Sequence, residues 1–450
     1  MMTTILFITF FILLLLDVPV VFCMLVSSLA ALIYEGINPL MMALELSRNM
    51  NSLYPMVAVP FFILAGDLMN RGGLSERIIN LSQASFGRMP GGLAMVTTSA
   101  SMFFGAISGA SSATCAAIGG IMIPAMEKKG YERAFATALA ACSGTTGALI
   151  PPSMVLLFYG AITGISIEKL FMGGVIPGIL IGLGLMSVSF MYARKKGMLA
   201  QKEVGYWSNV IHSIKGSFWA VLLVFIIFFG ILGIPGVTKG IFTATEAASV
   251  AVVYALFTGF FVYRKLKIKE IPMIFTRAAK TTATLTFLIS AAGLFGWVLS
   301  MGFVPVAITK GLLNVSEAII SPLQGVLSET QFFVLKKIIV LIALNLALLI
   351  VGMFVDAGPA IIILAPIVFP IGQHLGMSDF HFGVMVVTNL VIGLVTPPVG
   401  TTLFVASSIG RVKIVSLIPY ILRFLWVMLI VQLLIIFIPP LTTWLPGFIE

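Results

Sequence analysis

The sequence predicts an all-α polytopic membrane protein, and its composition, hydropathy and length each support this prediction. Of the 450 residues, 60% are hydrophobic and only 9% are charged, and the mean hydropathy is +1.14. Because a soluble domain has about 25% charged residues, lipid must be the main solvent of this chain. One crossing needs about 20 apolar residues. The length therefore allows about ten crossings and leaves no room for a sizeable soluble domain.

Charged residues, Gly and Pro divide the apolar sequence into nine predicted crossings. Two further apolar stretches, 91–128 and 332–375, have Gly-rich interruptions near their middle, which predicts re-entrant hairpins or tight helical pairs that cross and return. Two amphipathic segments, Leu74 to Met89 and about 304–325, are predicted to lie along the membrane interfaces. The nine crossings are 4–33, 53–70, 134–160, 165–193, 217–235, 241–263, 281–303, 380–410 and 415–446.

The distribution of Lys and Arg predicts the orientation. With a cytoplasmic N-terminus, 19 of the 26 basic residues fall in cytoplasmic loops, as the positive-inside rule requires. The C-terminus is then extracytoplasmic. The first basic residue is Arg48, so the apolar N-terminus lacks the basic n-region of a signal peptide and is predicted to be a permanent span.

The same loop charge accounts for the net charge of +10, so nucleic-acid binding is not expected. The three cysteines, Cys23, Cys115 and Cys142, lie in apolar stretches. They imply neither a disulfide framework nor a zinc site.

An internal repeat relates two Gly-x-x-x-Pro-Pro segments. Gly147–Pro152 aligns with Gly393–Pro398 at an offset of 246, and the same offset pairs Pro124 with Pro370 and Gly164 with Gly410. Five predicted crossings separate the two copies, and this odd number predicts opposite orientations. Inverted repeats with interrupted helices near mid-membrane are typical of secondary transporters.

Four regions follow from this repeat. A first scaffold segment covers 1–52, and the first repeat covers 53–193, with hairpin 91–128 and broken helix 134–160. Central scaffold spans cover 194–280. The second repeat covers 281–450, with hairpin 332–375 and broken helix 380–410.

The middles of the two hairpins are candidate ion sites. Ser108–Thr114 is rich in Gly and Ser, whose hydroxyls and freed carbonyls are ligands for an alkali cation. Close packing of small residues explains this segment equally well. In the second hairpin, Asp356 is placed either to cap the next helix or to bind a cation or proton.

The two Pro–Pro pairs are predicted to unwind their helices, since Pro removes a backbone donor and clashes with the preceding turn. A purely structural kink would explain one pair, but two equivalent breaks beside polar clusters favour a binding role. Freed carbonyls can complete a sodium shell, and helix N-termini can hold a carboxylate. Arg and Lys are not expected within the central spans, so anion recognition is assigned to helix dipoles and hydroxyls.

These motifs resemble the large membrane subunit of tripartite ATP-independent periplasmic (TRAP) transporters. The resemblance is carried by Phe104–Thr114, Ile121–Met126, Pro60–Gly66 and the two Pro–Pro segments, and it covers nearly the whole chain.

The resemblance implies an elevator-type secondary transporter in the bacterial or archaeal inner membrane. It implies coupling to Na⁺, a small four-helix membrane subunit, a periplasmic substrate-binding protein and an organic acid substrate, such as a C4-dicarboxylate, a sugar acid or a keto acid. No cofactor is implied. The candidate ion- and substrate-binding residues are Ser108, Gly109, Ser111, Ser112, Thr114, Ser143, Thr145, Thr146, Pro151, Pro152, Asp356, Gly358, Asn389, Gly393, Thr396, Pro397, Pro398, Gly400 and Thr401.

Other functions remain as alternatives at this point. A stand-alone cation-coupled carrier of organic anions would need no binding protein, and a channel would need no inverted hairpins. An intramembrane hydrolase would use Ser108 with a hydrogen-bonded base, but the three histidines, His212, His374 and His381, are placed outside the spans. The absence of a Gly-Lys dipeptide argues against an ATP-driven pump, which needs a phosphate-binding loop.

Overall fold

The computed structural model describes residues 1–16, 18–52, 57–197, 206–233, 240–321 and 328–448. Every regular element in these ranges is helical. Parts of the predicted crossings 53–70 and 217–235 lie outside the described residues. The first ten helices are α1 (Met2–Leu15), α2 (Val20–Tyr34), α3 (Leu40–Ser52), α4 (Ala58–Arg71), α5 (Leu74–Phe86), α6 (Gly92–Ser108), α7 (Ser111–Lys128), α8 (Arg133–Gly144), α9 (Met154–Thr163) and α10 (Ile167–Lys195).

The second half of the chain contributes ten more described helices. These are α11 (Tyr206–Leu232), α12 (Ala244–Phe257), α13 (Ile271–Met301), α14 (Val304–Ile320), α15 (Glu329–Phe354), α16 (Ala357–His374), α17 (Asp379–Gly393), α18 (Thr401–Gly410), α19 (Ile414–Phe437) and α20 (Pro440–Thr443).

Seven helical segments in the described ranges are long and apolar enough to cross a membrane. Several other apolar helices have 10 to 17 residues, in part because the hairpin turns and Pro–Pro segments interrupt the chain. The predicted crossing 281–303 is the C-terminal part of α13, which begins at Ile271 and has 31 residues. Arg277, which the sequence places in a loop, therefore lies within a helix.

The predicted crossing 4–33 is not a single helix. It forms α1 and α2, which pack against each other. Pro19 is the N-cap of α2, since proline fits the start of a helix but not its interior. Helices of 14 and 15 residues are about 22 Å long, which is shorter than the hydrocarbon core of about 30 Å.

The packed pair α1–α2 brings the start of the chain next to the end of α13. A Cβ added at Gly302 would lie 2.4 Å from Cγ2 of Thr3, so the start of α1 adjoins the end of α13. The sequence-based topology predicts that Thr3 lies on the cytoplasmic side and Gly302 on the extracytoplasmic side. These two predicted locations assume one crossing over residues 4–33, whereas the structure has two short packed helices there.

Both hairpins are present. The first joins α6 to α7 through Gly109, which adopts a φ of +64°, a left-handed conformation that glycine tolerates without a steric penalty. The second joins α15 to α16 through Val355 and Asp356. The helices of the first hairpin pack closely, whereas those of the second meet over a shorter length.

The predicted breaks at the two Pro–Pro pairs are also present. Helix α8 ends at Gly144 and is followed by a 3₁₀ turn, Thr145–Ala148, before α9 begins at Met154. Helix α17 ends at Gly393, and α18 begins at Thr401. Both Pro–Pro peptide bonds are cis.

Packing between the repeats is reciprocal. Helix α7 of the first hairpin packs on α18, and α16 of the second packs on α9. The corresponding helices α10 and α19 pack antiparallel. An added Cβ at Gly184 would lie 2.2 Å from Val427, and further along α10 the ring of Tyr192 lies 6.3 Å from that of Tyr420. Antiparallel packing of equivalent helices is the arrangement expected of an inverted repeat.

Candidate functional site

Glycines bring each hairpin into backbone contact with the broken helix of its own repeat. A Cβ added at Gly105 would lie 2.3 Å from Cα of Gly147. At the equivalent place, a Cβ at Gly393 would lie 2.6 Å from Cα of Gly352. Any side chain at these positions would push the segments apart, so glycine is the residue that permits the approach.

Backbone hydrogen bonds then join each hairpin to the residues that follow its Pro–Pro pair. The amide of Met154 donates to the carbonyl of Gly109 over 3.1 Å, and the amide of Gly400 donates to the carbonyl of Met353 over 2.7 Å. The two donors differ by the repeat offset of 246. Each broken helix therefore restarts against a hairpin.

The two hairpin turns meet at one cavity of about 480 Å³. Its lining includes Ser108–Ala113 from the first hairpin and Asp356–Pro359 from the second. Helices α7 and α16 both begin at this cavity, and the partial positive charge of a helix N-terminus favours an anion there. The remaining walls come from α9 and from α4 and α13.

Asp356 links the second hairpin to the second broken helix. Its Oδ1 accepts a hydrogen bond from the amide of Gly358 at 3.2 Å, which confirms the capping role that the sequence predicts. Its Oδ2 accepts a hydrogen bond from Oγ1 of Thr401 at 3.1 Å. Thr401 is the first residue of α18, so the carboxylate lies between two helix N-termini.

Arg277 also lines the cavity, so helix dipoles and hydroxyls are not the only groups there that could hold an anion. Asp67 lines the same cavity from α4 together with Asn70. Arg277 and Thr281 are one helical turn apart and face the cavity together. In the sequence, Arg277 lies four positions before Thr281, at the edge of an apolar run. This spacing was the available indication that the two side chains share one helix face.

Six of the candidate residues line the cavity, and the other thirteen are not among its lining residues. The six are Ser108, Gly109, Ser111, Ser112, Asp356 and Gly358. The others are Thr114, Ser143, Thr145, Thr146, Pro151, Pro152, Asn389, Gly393, Thr396, Pro397, Pro398, Gly400 and Thr401.

The polar candidates of the first repeat are mostly hydrogen-bonded. The hydroxyls of Ser108 and Thr114 are 2.8 Å apart, and Ser143 pairs with Thr98 at 3.0 Å. Thr145 and Thr146 donate to carbonyls of α8, at 2.6 and 2.7 Å. These bonds satisfy polar groups where the helix unwinds.

In the second repeat, Asn389 belongs to a buried amide cluster that the sequence did not indicate. Its Nδ2 donates to Oδ1 of Asn345 at 2.6 Å, and Nε2 of Gln432 donates to the same oxygen at 2.7 Å. The Thr396 hydroxyl donates to the carbonyl of Ile392 at 2.9 Å.

Several buried oxygens near the hairpins have no hydrogen-bond partner among the described residues. They include Oγ of Ser111, Oγ1 of Thr388 and Oδ1 of Asn389. A buried polar atom without a partner is costly, so each is suited to accept a ligand. Hydroxyl and amide oxygens are hard donors of the kind that alkali cations prefer.

Comparison with known proteins places this arrangement in a family. Residues 7–441 match the model of the tripartite ATP-independent periplasmic transporter, DctM component. The C4-dicarboxylate TRAP transporter large permease protein DctM of Pseudomonas aeruginosa is 38% identical over 396 residues, covering 88% of this chain and 87% of that protein. The isethionate TRAP transporter permease protein DctMQ of Oleidesulfovibrio alaskensis is 37% identical over 430 residues.

The DctMQ match covers 96% of this chain but 64% of the relative, so the chain spans under two thirds of that protein. Among solved structures, the YdaH transporter of Alcanivorax borkumensis superposes with a TM-score of 0.57 at 13% identity, over 88% of both chains. This likeness concerns the fold alone. On its sequence matches, the chain belongs to the DctM family, the large permease components of TRAP transporters.

Proposed function

We propose that this chain is the large permease subunit of a sodium-driven TRAP system that takes up a small organic acid. The observation that carries the proposal is the shared cavity, where two hairpin turns, two helix N-termini and Arg277 converge. This combination suits a carboxylate bound near an alkali cation. The relatives described above are named for C4-dicarboxylates and for isethionate, which are both small organic anions.

Sodium is proposed to bind within two windows, each formed by a hairpin turn and its neighbouring break. The first contains Ser108–Thr114 and Ser143–Thr146, and the second contains Asp356–Gly358 and Asn389–Thr401. Their proximity supports this pairing. A Cβ at Gly144 would lie 2.9 Å from the carbonyl oxygen of Ser111, and Thr401 is bonded to Asp356.

Asp356 offers a way to separate cation binding from helix capping. Asn caps a helix about as well as Asp, whereas Ala loses about 1 kcal/mol. Asp356→Asn should therefore be as stable as wild type in choline chloride. Unlike wild type, it should gain no further stability when NaCl replaces choline chloride. Asp356→Ala should lose both. Equal stabilisation of wild type and Asp356→Asn by sodium would remove the carboxylate from the sodium site.

The chain is further proposed to act with a separate small four-helix membrane subunit and a periplasmic binding protein. The test is uptake of candidate organic acids by proteoliposomes that contain the chain with these partners. Uptake should need both an inward sodium gradient and the binding protein. Uptake without a sodium gradient would refute the coupling, and uptake without the binding protein would favour the stand-alone carrier.

The proposed location is the inner membrane, with the C-terminus in the periplasm. The N-terminus is proposed to be periplasmic as well, because Thr3 adjoins the end of α13. Residues 1–34 contain no Lys or Arg, so this change leaves the positive-inside count unaltered. Labelling of Thr3→Cys in intact spheroplasts with an impermeant thiol reagent should succeed, and protection would restore the cytoplasmic assignment.

The proposed mechanism is of the elevator type, in which the hairpins slide against α4 and α13. Gly66 and Ser108 provide a test because an added Cβ at Gly66 would lie 3.8 Å from that of Ser108. This is close to the mean of about 3.8 Å in disulfides. Oxidation of the Gly66→Cys/Ser108→Cys variant should stop transport, and reduction should restore it. Transport by the cross-linked protein would exclude sliding at this contact.

An intramembrane hydrolase is not supported by the geometry of Ser108. Its hydroxyl is bonded to another hydroxyl, that of Thr114, whereas a serine nucleophile is activated by a bonded base. His381, which is expected outside the spans, is instead buried in α17, but its bond is to Thr442, at 2.6 Å. The relatives are likewise named as permeases.

A further inference from the structure

A second large cavity lies between α10 and α19, apart from the hairpin turns. It is a groove of about 860 Å³, formed where the C-terminal end of α10 passes the N-terminal half of α19. Its polar residues are Glu132, Lys195, Lys196 and Arg423, together with Tyr192 and Tyr420. Three cationic side chains thus face one carboxylate.

The carboxylate neutralises only one of these cations. Oε1 of Glu132 pairs with Nζ of Lys196 at 2.7 Å, and its other oxygen accepts a hydrogen bond from the hydroxyl of Tyr420. Lys195 and Arg423 form no ion pair within 4.0 Å among the described residues. The groove therefore keeps an excess of positive charge at one end.

Arg423 lies in an unusual position for a charge. It is within the 24-residue apolar helix α19, between the exposed side chains of Leu422 and Trp426. A guanidinium on such a surface is costly unless it reaches the interface or finds a partner. Its guanidinium carbon lies 5.7 Å from the centre of the Tyr420 ring, which directs the charge towards the groove.

The rest of the groove is apolar and closes at its deeper end. Its apolar wall is formed by Met191, which is 60% exposed, together with Phe135, Val188, Phe424 and Val427. At Gly184 the two helices touch, since an added Cβ would lie 2.2 Å from Val427. Gly184 is about 16 Å along α10 from Lys195, so the groove has a charged mouth, an apolar wall and a closed end.

We propose that this groove binds an anionic phospholipid, with its phosphate at Lys195 and Arg423 and the start of its acyl chains along Met191. The occupant is assigned by charge complementarity on a surface that faces lipid. Basic pockets between membrane helices bind anionic headgroups in this manner, and an Arg–phosphate pair is a strong, bidentate contact. The proposal does not depend on what the permease transports.

The test is native mass spectrometry of the full-length chain, titrated with phosphatidylglycerol, phosphatidylcholine or inorganic phosphate. Phosphatidylglycerol should bind more tightly than the other two. The double variant Lys195→Gln/Arg423→Gln should bind phosphatidylglycerol about thirtyfold more weakly. Each basic residue near the membrane surface contributes about 1 kcal/mol to the binding of an anionic lipid, and the loss of two such contributions corresponds to this factor. Lys413→Gln, which removes a charge from the same end of α19 outside the groove, should bind as wild type does.

Two further results decide the proposal. Arg423→Lys should keep the preference for phosphatidylglycerol over phosphatidylcholine. If Arg423→Gln weakens this preference and Arg423→Lys keeps it, the charge of the side chain is responsible and not a folding defect. Equal binding of phosphatidylcholine, an unchanged affinity of the double variant, or equally tight binding of inorganic phosphate would each overturn the assignment.

Discussion

The contact of Gly105 with Gly147 predicts a specific difference between two Gly→Ala variants. In Gly105→Ala, the new methyl carbon would lie 2.3 Å from Cα and 2.9 Å from the amide nitrogen of Gly147. Non-bonded carbons prefer about 3.5 to 4.0 Å, so the segments must separate by about 1 Å. Neither contact atom can rotate away because both belong to the backbone.

Gly120→Ala is the matched control. Gly120 is inside α7 of the same hairpin, and an added Cβ meets nothing within 4 Å. Both substitutions gain up to about 1 kcal/mol of helix propensity, so that gain cancels in the comparison. Overpacking costs about 1 to 3 kcal/mol. We expect Gly105→Ala to be less stable than Gly120→Ala by about this amount.

Thermal unfolding can be followed with a thiol-reactive fluorogenic dye, because Cys23, Cys115 and Cys142 are all buried in the folded protein. Gly105→Ala should unfold at a lower temperature than Gly120→Ala and should transport less. Gly352→Ala, whose methyl would lie 2.8 Å from the carbonyl oxygen of Leu390, should change in the same direction. Equal unfolding temperatures for Gly105→Ala and Gly120→Ala would refute the close contact.

Three other predictions concern charge and helix breaks. Arg277→Gln should weaken the affinity for an organic acid about tenfold or more, since a hydrogen bond to a charged group is worth about 1.5 to 3 kcal/mol. The control Lys280→Gln should leave the affinity unchanged. Equal affinities of wild type and Arg277→Gln in an uptake titration would remove Arg277 from the site. Replacing Pro151–Pro152 with Ala–Ala should reduce uptake more than membrane insertion, and unchanged uptake would contradict a role for the break. Hydrogen bonds from Lys196 and the Tyr420 hydroxyl lower the pKa of Glu132, so its stabilisation is present at neutral pH and is lost as the pH falls through the folded-state pKa. Glu132→Gln should therefore be less stable than wild type by up to about 1 kcal/mol at pH 7, with the two unfolding temperatures converging in acid; a constant difference would contradict this assignment.

The hairpin turns and the helix breaks could be predicted because Gly and Pro act locally. Gly109 ends α6 in a left-handed conformation, and the two Pro–Pro pairs remove backbone donors where α8 and α17 end. The repeat offset added long-range information, since it identified equivalent positions. The cap at Asp356 was readable for the same local reason.

Arg277 was missed because hydropathy detects the apolar core of a span and not the length of a helix. Helix α13 begins at Ile271, ten residues before the predicted crossing 281–303, and these ten residues include Arg277 and Lys280. The fold of residues 4–33 was missed for a related reason. A stretch of thirty mostly apolar residues satisfies the length rule for a crossing, and the rule does not consider that α1 and α2 can pack against each other.

The amide cluster around Asn345 was not predictable either, because it joins residues from three helices that are far apart in sequence. Asn389 and Gln432 both donate to one oxygen of Asn345. Single polar residues in spans can be noticed, but their partners depend on how α15, α17 and α19 pack.

The reciprocal packing of the repeats places each hairpin in contact with both broken helices. Helix α7 packs on α18 and α16 packs on α9, while each hairpin also contacts the break of its own repeat at Gly105 or Gly352. In the proposed elevator mechanism, a displacement of one hairpin would therefore be transmitted to both broken helices. The cavity lies where this interlocked unit meets α4 and α13, the helices that supply Asp67 and Arg277. In the proposed elevator mechanism, sliding at this boundary would separate Asp67 and Arg277 from the hairpin turns, and binding at the turns would then depend on the position of the whole unit.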